Sequence, residues 1–107
     1  MRRLRERLDW LFRAMKGARH KTMATITVYT TRLCPYCRMA KELLRKKGAV
    51  FNEIDVGCRT ELRSEMCHKA GGRNTVPQIW IGEKHVGGCD DLYTLERDGK
   101  LDPLLAA

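Results

Sequence analysis

The 107 residues include 43% hydrophobic and 32% charged side chains, a balance that suits one globular domain with a single core and excludes a disordered chain. No apolar run approaches the roughly 20 residues needed to cross a bilayer, and the basic N-terminal stretch lacks the uninterrupted apolar core of a secretory signal. The formal net charge of +8 is uneven: residues 1–23 hold eight Lys/Arg and two Asp/Glu, and residues 24–107 hold thirteen and eleven, so the charge lends nucleic-acid binding little support.

Residues 1–23 stand apart as a basic leader or extension before a domain over 24–107. Leu4, Leu8, Leu11 and Met15 recur at helical spacing among arginines, which fits a surface-lying amphipathic helix. An Arg-rich targeting peptide is a second reading, although Glu6 and Asp9 count against it. The third, slightly favoured, is a dispensable extension preceding a start at Met23.

Thr25–Thr30 reads as a β-rich strand. Pro35 suits the first turn of a helix, where its missing N–H has no intrahelical partner. That helix carries Met39, Ala40, Leu43 and Leu44 as its apolar stripe, ends in Arg45, Lys46 and Lys47, and closes at Gly48. Val50–Val56 forms a second strand, and strand–helix–strand order implies a parallel pair with a right-handed crossover. A second helix over Thr60–Ala70 presents Leu62, Met66 and Ala70 on one face before Gly71-Gly72. Gln78–Ile81, the turn Gly82-Glu83-Lys84 and His85-Val86 make a hairpin. A third helix runs from about Cys89 to Arg97 with Asp90 and Asp91 in its first turn, and Asp102-Pro103 starts a last turn through Leu105. The order is β-α-β-α-β-β-α.

Five cysteines are an odd number, which favours a reducing compartment over a secreted disulfide framework. Cys58 and Cys67 read as small apolar or inert residues. Cys34-Pro35-Tyr36-Cys37 lies where the first strand gives way to the first helix. A sulfur at Cys34 there faces unsatisfied backbone N–H groups and the positive end of the helix dipole, which favours thiolate, the nucleophilic form. A Cys-x-x-Cys can also be half of a zinc site, but no second such pair and no His-x₃₋₅-His accompanies it, so no metal site is expected. Redox exchange is the stronger reading.

Cys34-Pro35-Tyr36-Cys37, Thr75-Val76-Pro77 and Gly87-Gly88-Cys89-Asp90-Asp91-Leu92, in that order, resemble a dithiol glutaredoxin of the bacterial type. The resemblance covers residues 24–107. It implies a thioredoxin-like α/β fold, a four-stranded mixed sheet flanked by helices. It also implies a cis bond before Pro77 that would offer the Val76 backbone to an extended peptide, whereas the residues alone equally allow Pro77 simply to open an edge strand.

The resemblance further implies glutathione as co-substrate, with no tightly bound cofactor. Cys34 and Cys37 would be catalytic, and Tyr36, Arg73, Thr75, Val76, Pro77, Gly88, Cys89 and Asp90 would bind the tripeptide. The third helix's N-terminus at Cys89 and Asp90 suits the γ-glutamyl carboxylate. Asp90 or Asp91 would either meet the ammonium or cap the helix, and Tyr36 would either pack on the tripeptide or shield the helix start. Arg73 and a basic residue before Cys34 would take the glycine carboxylate. Relatives often carry Lys three positions before the first cysteine; here Thr31 stands there, and Arg32 either compensates or is solvated. Cys89 is either a third redox thiol or a donor of its backbone amide alone.

The implied activity is glutathione-dependent reduction of protein–glutathione mixed disulfides and of protein disulfides, by a cytoplasmic monomer with no nucleic-acid or membrane partner. The alternative is an iron–sulfur cluster carrier using Cys34 and glutathione, a geometry that Pro35 disfavours.

Overall fold

The computed structural model describes residues 24–106, so the expectations for residues 1–23 lie outside the described residues. The elements are β1 (Ile26–Thr30), α1 (Pro35–Lys46), β2 (Asn52–Asp55), α2 (Thr60–Lys69), β3 (Gln78–Ile81), β4 (Lys84–Gly87), α3 (Cys89–Arg97) and α4 (Leu101–Ala106). The strands form one sheet in the order β2-β1-β3-β4. β1 is parallel to β2 and antiparallel to β3, and β3 is antiparallel to β4, so the sheet is mixed as expected.

Side chains alternate across a strand, and the two faces of β1 and β3 feed two cores. Ile26, Val28, Ile79 and Ile81 pack with Ala40, Leu43 and Leu44 of α1, with Leu92 of α3, and with Leu101 and Leu105 of α4. On the opposite face, Tyr29 and Trp80 pack with Val56 and with Met66 and Ala70 at the end of α2. The sheet is therefore covered on both sides, and the loops at the C-terminal end of β1 are held between two packed layers. Lys47, just past α1, pairs with Glu96 at 2.8 Å and Asp102 at 2.9 Å, tying α1 to α3 and α4.

Two details differ from the sequence reading. Met39 is exposed, and Cys37 joins Ala40, Leu43 and Leu44 in the buried stripe of α1. At about 100° per residue, Met39 falls on the flank of that stripe beyond Leu43. β2 is also shorter than Val50–Val56, and Val50 is 83% exposed. The ladder pairs only Thr27–Thr30 with Asn52–Asp55, so the edge strand has no partner before Asn52.

Met66 is fully buried and forms the main contact of α2 with the sheet. Met66→Ala should cost about 2–5 kcal/mol of stability. Urea denaturation should show the loss as a lower midpoint with an unchanged slope.

Candidate active site

Cys34 is the N-cap of α1, with extended backbone (φ −92°, ψ 115°), and Pro35 occupies the first turn. Its Sγ accepts from the Cys37 backbone N–H at 3.4 Å, so the sulfur satisfies one of the donors that a helix start leaves open. As a thiol, the same sulfur donates to the Val76 carbonyl at 3.7 Å.

Cys37 is its opposite. It is 1% exposed, and desolvation pushes its thiol up to about 12, helped by the hydrogen bond and charge of Cys34 and opposed by the Thr31 amide and the Lys41 charge. One sulfur is half-open at a helix start, and the other stays protonated inside the core.

The loop that faces Cys34 carries a cis Val76-Pro77 peptide bond, as the resemblance implied. Arg63 of α2 holds the start of this loop, donating to the Asn74 side chain at 3.0 Å and to its carbonyl at 2.7 Å. Beyond β4 the chain enters α3 through Gly87 and Gly88. Gly87 has φ +115°, and a Cβ there would overlap the Asp91 carboxylate. That carboxylate reaches back to accept from the Gly88 N–H at 2.9 Å and pairs with Arg73 at 3.3 Å.

These segments enclose a groove of about 160 Å³ lined by Tyr36, Arg73, Thr75, Val76, Pro77, Gly88, Cys89, Asp90 and Asp91. All eight residues expected around the tripeptide come together there, and Asp91 is the addition. The structure separates the two aspartates: Asp91 caps α3 and holds Arg73, while Asp90 is exposed at the rim. Tyr36 stands 58% exposed beside Cys34. Cys89 has its side chain in the core, where burial pushes its thiol up and the Asp90 and Cys34 charges add to the effect.

Arg32 does not line this groove. It lies with Thr31, Leu33, Asp55 and the exposed Cys58 around a separate hollow of about 400 Å³. A larger groove, about 790 Å³, runs along α2 past Cys67 and His68, but neither Tyr36 nor the Thr75–Pro77 loop lines it. The smaller groove is the one next to the reactive sulfur, through Val76, whose carbonyl lies 3.7 Å from Cys34 Sγ. Among the described residues no helix is long and apolar enough to cross a membrane.

A family profile described as Glutaredoxin matches residues 26–86. The chain is 60% identical to a glutaredoxin of Pseudomonas aeruginosa over 85 residues, which is 79% of this chain and all of that protein. The chain belongs to the glutaredoxin family. The solution structure of glutaredoxin from Brucella melitensis is 57% identical and superposes with a TM-score of 0.71 over 81% of this chain and 94% of that one. A buckwheat glutaredoxin–glutathione complex, 29% identical, superposes with a TM-score of 0.70 over 94% of this chain and 91% of that one. Family membership gives the chain a glutathione-dependent thiol redox function and accounts for its thioredoxin-like architecture.

Two consequences of this glutaredoxin geometry are measurable. Between the ordinary cysteine value of 9.0 and about 12, the native state keeps the Cys37 proton and the unfolded state releases it. That contribution to stability is full below pH 9.0 and is lost as pH rises towards about 12. Denaturation followed from about pH 8 to about pH 11 should therefore show a steeper fall for the wild type than for Cys37→Ala. Gly87→Ala should cost about 1–3 kcal/mol, because it forces φ > 0 on a β-carbon and dislodges the Asp91 cap. Thermal unfolding of that variant would check this.

Proposed function

We propose that the chain reduces protein–glutathione mixed disulfides, and a narrower set of protein disulfides, through Cys34 with Cys37 as the resolving thiol. The observation that carries this reading is the asymmetry of the pair: Cys34 Sγ caps α1 and lies 3.7 Å from the carbonyl of Val76, a residue of the groove, whereas Cys37 is buried and protonated.

The Cys34 thiolate attacks the glutathione sulfur of a protein mixed disulfide. A bond forms between Cys34 and glutathione, the old disulfide breaks, and the protein thiolate leaves and takes up a proton. The thiolate of a second glutathione then attacks the glutathione sulfur on Cys34. Oxidised glutathione departs and the Cys34 thiolate returns to its place under the Cys37 amide. The Cys37 amide stands 3.4 Å from the sulfur that leaves in this second exchange. For a protein disulfide, the Cys34 thiolate attacks one substrate sulfur and releases the other as a thiolate that takes up a proton; Cys37 then attacks Cys34 in that mixed disulfide and gives its proton to the second departing thiolate, leaving a Cys34–Cys37 disulfide that two glutathiones reduce in turn.

In the groove, the Cys89 and Asp90 backbone N–H groups at the start of α3 suit the γ-glutamyl carboxylate. Asp90 is the free carboxylate for the ammonium, since Asp91 is engaged as the cap. The Val76 backbone suits the cysteinyl residue of the tripeptide, in the manner of strand addition. Arg73 meets the glycine carboxylate while Asp91 orients it. Tyr36 covers the exposed side of the tripeptide, with Thr75, Pro77 and Gly88 forming the floor and wall. Cys89 acts through its backbone amide alone. We place the protein in the cytoplasm as a monomer, with the domain over 24–107 carrying the activity.

Glutathione-coupled turnover tests the assignment. Cys37→Ser should keep deglutathionylation of a small mixed disulfide and lose protein-disulfide reduction, while Cys34→Ser should lose both. Full glutathione-dependent activity in Cys34→Ser would refute Cys34 as the nucleophile.

A further inference from the structure

Gln78 is a polar side chain inside an otherwise apolar strand, and it is fully buried. Both ends of its amide are occupied. The nitrogen donates to the Thr75 hydroxyl at 3.1 Å, and the oxygen lies 2.7 Å from His85 Nε2. Thr75 lines the groove beside Cys34, and His85 belongs to β4 on the far side of Gln78. The contact follows from the strand register: His85 stands opposite Trp80 in the β3–β4 ladder, so it shares the face of Trp80 and Gln78, and the ladder shifts by one residue only beyond that pair, at Val86. His85 is then stacked on Trp80, with ring centroids 4.4 Å apart.

We propose that Gln78, backed by His85, is a positioning residue for the glutathione groove: it orients the Thr75 hydroxyl and thereby the turn whose Val76 carbonyl faces Cys34. This rests on the glutathione reading of the groove given above. A buried amide with no partner would be costly, so Gln78 has a function that an apolar residue of the same size would lack. Burial, with the Arg73 charge adding to it and the Asp91 charge opposing it, holds the His85 imidazole below the ordinary histidine range, so the ring is neutral; with its proton on Nε2 it donates to the Gln78 oxygen. Reversing the amide preserves the chain, because Gln78 then donates to the ring and accepts from Thr75. The start of the loop is pinned separately, by Arg63 on Asn74. Loss of Gln78 therefore frees the Thr75 end of the turn and leaves the dithiol end of α1 untouched.

The test is steady-state kinetics on a glutathionylated peptide with the full chain. Gln78→Met, which fills the same space without either hydrogen bond, should raise KM for the peptide about five-fold and change kcat by less than about two-fold. His85→Phe, which keeps the ring on Trp80 but removes the nitrogen, should raise KM in the same direction by a smaller factor. Thr75→Val should raise KM as well, and adding Gln78→Met to it should produce no further rise, because both remove one link. A wild-type KM in both Gln78→Met and His85→Phe, or effects of Gln78→Met and Thr75→Val that multiply in full, would overturn the proposal. If Gln78→Met does not fold, by circular dichroism, His85→Phe decides alone: an unchanged KM overturns the relay. Wild-type protein with no glutathione-dependent turnover would instead sink the functional reading, whereas normal wild-type turnover with unmoved variants sinks only the relay.

Discussion

The hydrogen bond from the Cys37 backbone N–H to Cys34 Sγ is the contact on which the rest of the site depends. It is a helix N-cap in which sulfur replaces the usual side-chain oxygen. The capping role seats the sulfur against the open amides at the start of α1, and it also leaves the sulfur half-exposed within reach of the Val76 carbonyl. Everything that holds α1 in place therefore bears on the reactivity of one atom. Ala40, Leu43 and Leu44 seat the helix on the sheet, Lys47 ties its far end to α3 and α4, and the Tyr93 hydroxyl donates to the Met39 carbonyl at 3.1 Å.

The second sulfur is held in the opposite condition by the same helix. One turn into α1, Cys37 falls on the buried stripe, and desolvation keeps its proton in place. Two chemically identical side chains three positions apart thus differ because one precedes the first helical turn and the other faces the core. The groove adds a third constraint: Gly87 lacks a β-carbon, so the Asp91 carboxylate can fold back on Gly88 and hold Arg73 across the opening.

Much of this was legible in the residues. The dithiol, Pro35 in the first turn, the Thr75-Val76-Pro77 loop and the Gly87-Gly88 entry to α3 are local signals, and each found its element. The choice between Asp90 and Asp91 was not legible, since both sit in a first turn where either can cap; only the fold of the chain around Gly88 selects Asp91. Arg32 was equally open, and it lines the neighbouring hollow because the loop before Cys34 turns it away from the groove. Gln78 carried a signal that periodicity alone does not interpret: an amide within an apolar strand has to find partners, and they come from residues three behind and seven ahead.

By itself the sequence determined the element order, the place of the two thiols at a strand-to-helix junction and the family, because those follow from spacing, capping chemistry and turn residues close together in the chain. Only the tertiary structure decided which sulfur is exposed, which aspartate is free, and that Thr75 is tied through Gln78 to His85. The reason is physical: burial, charge pairing and the register of the β3–β4 ladder join residues that are distant in sequence, and no local pattern carries that information.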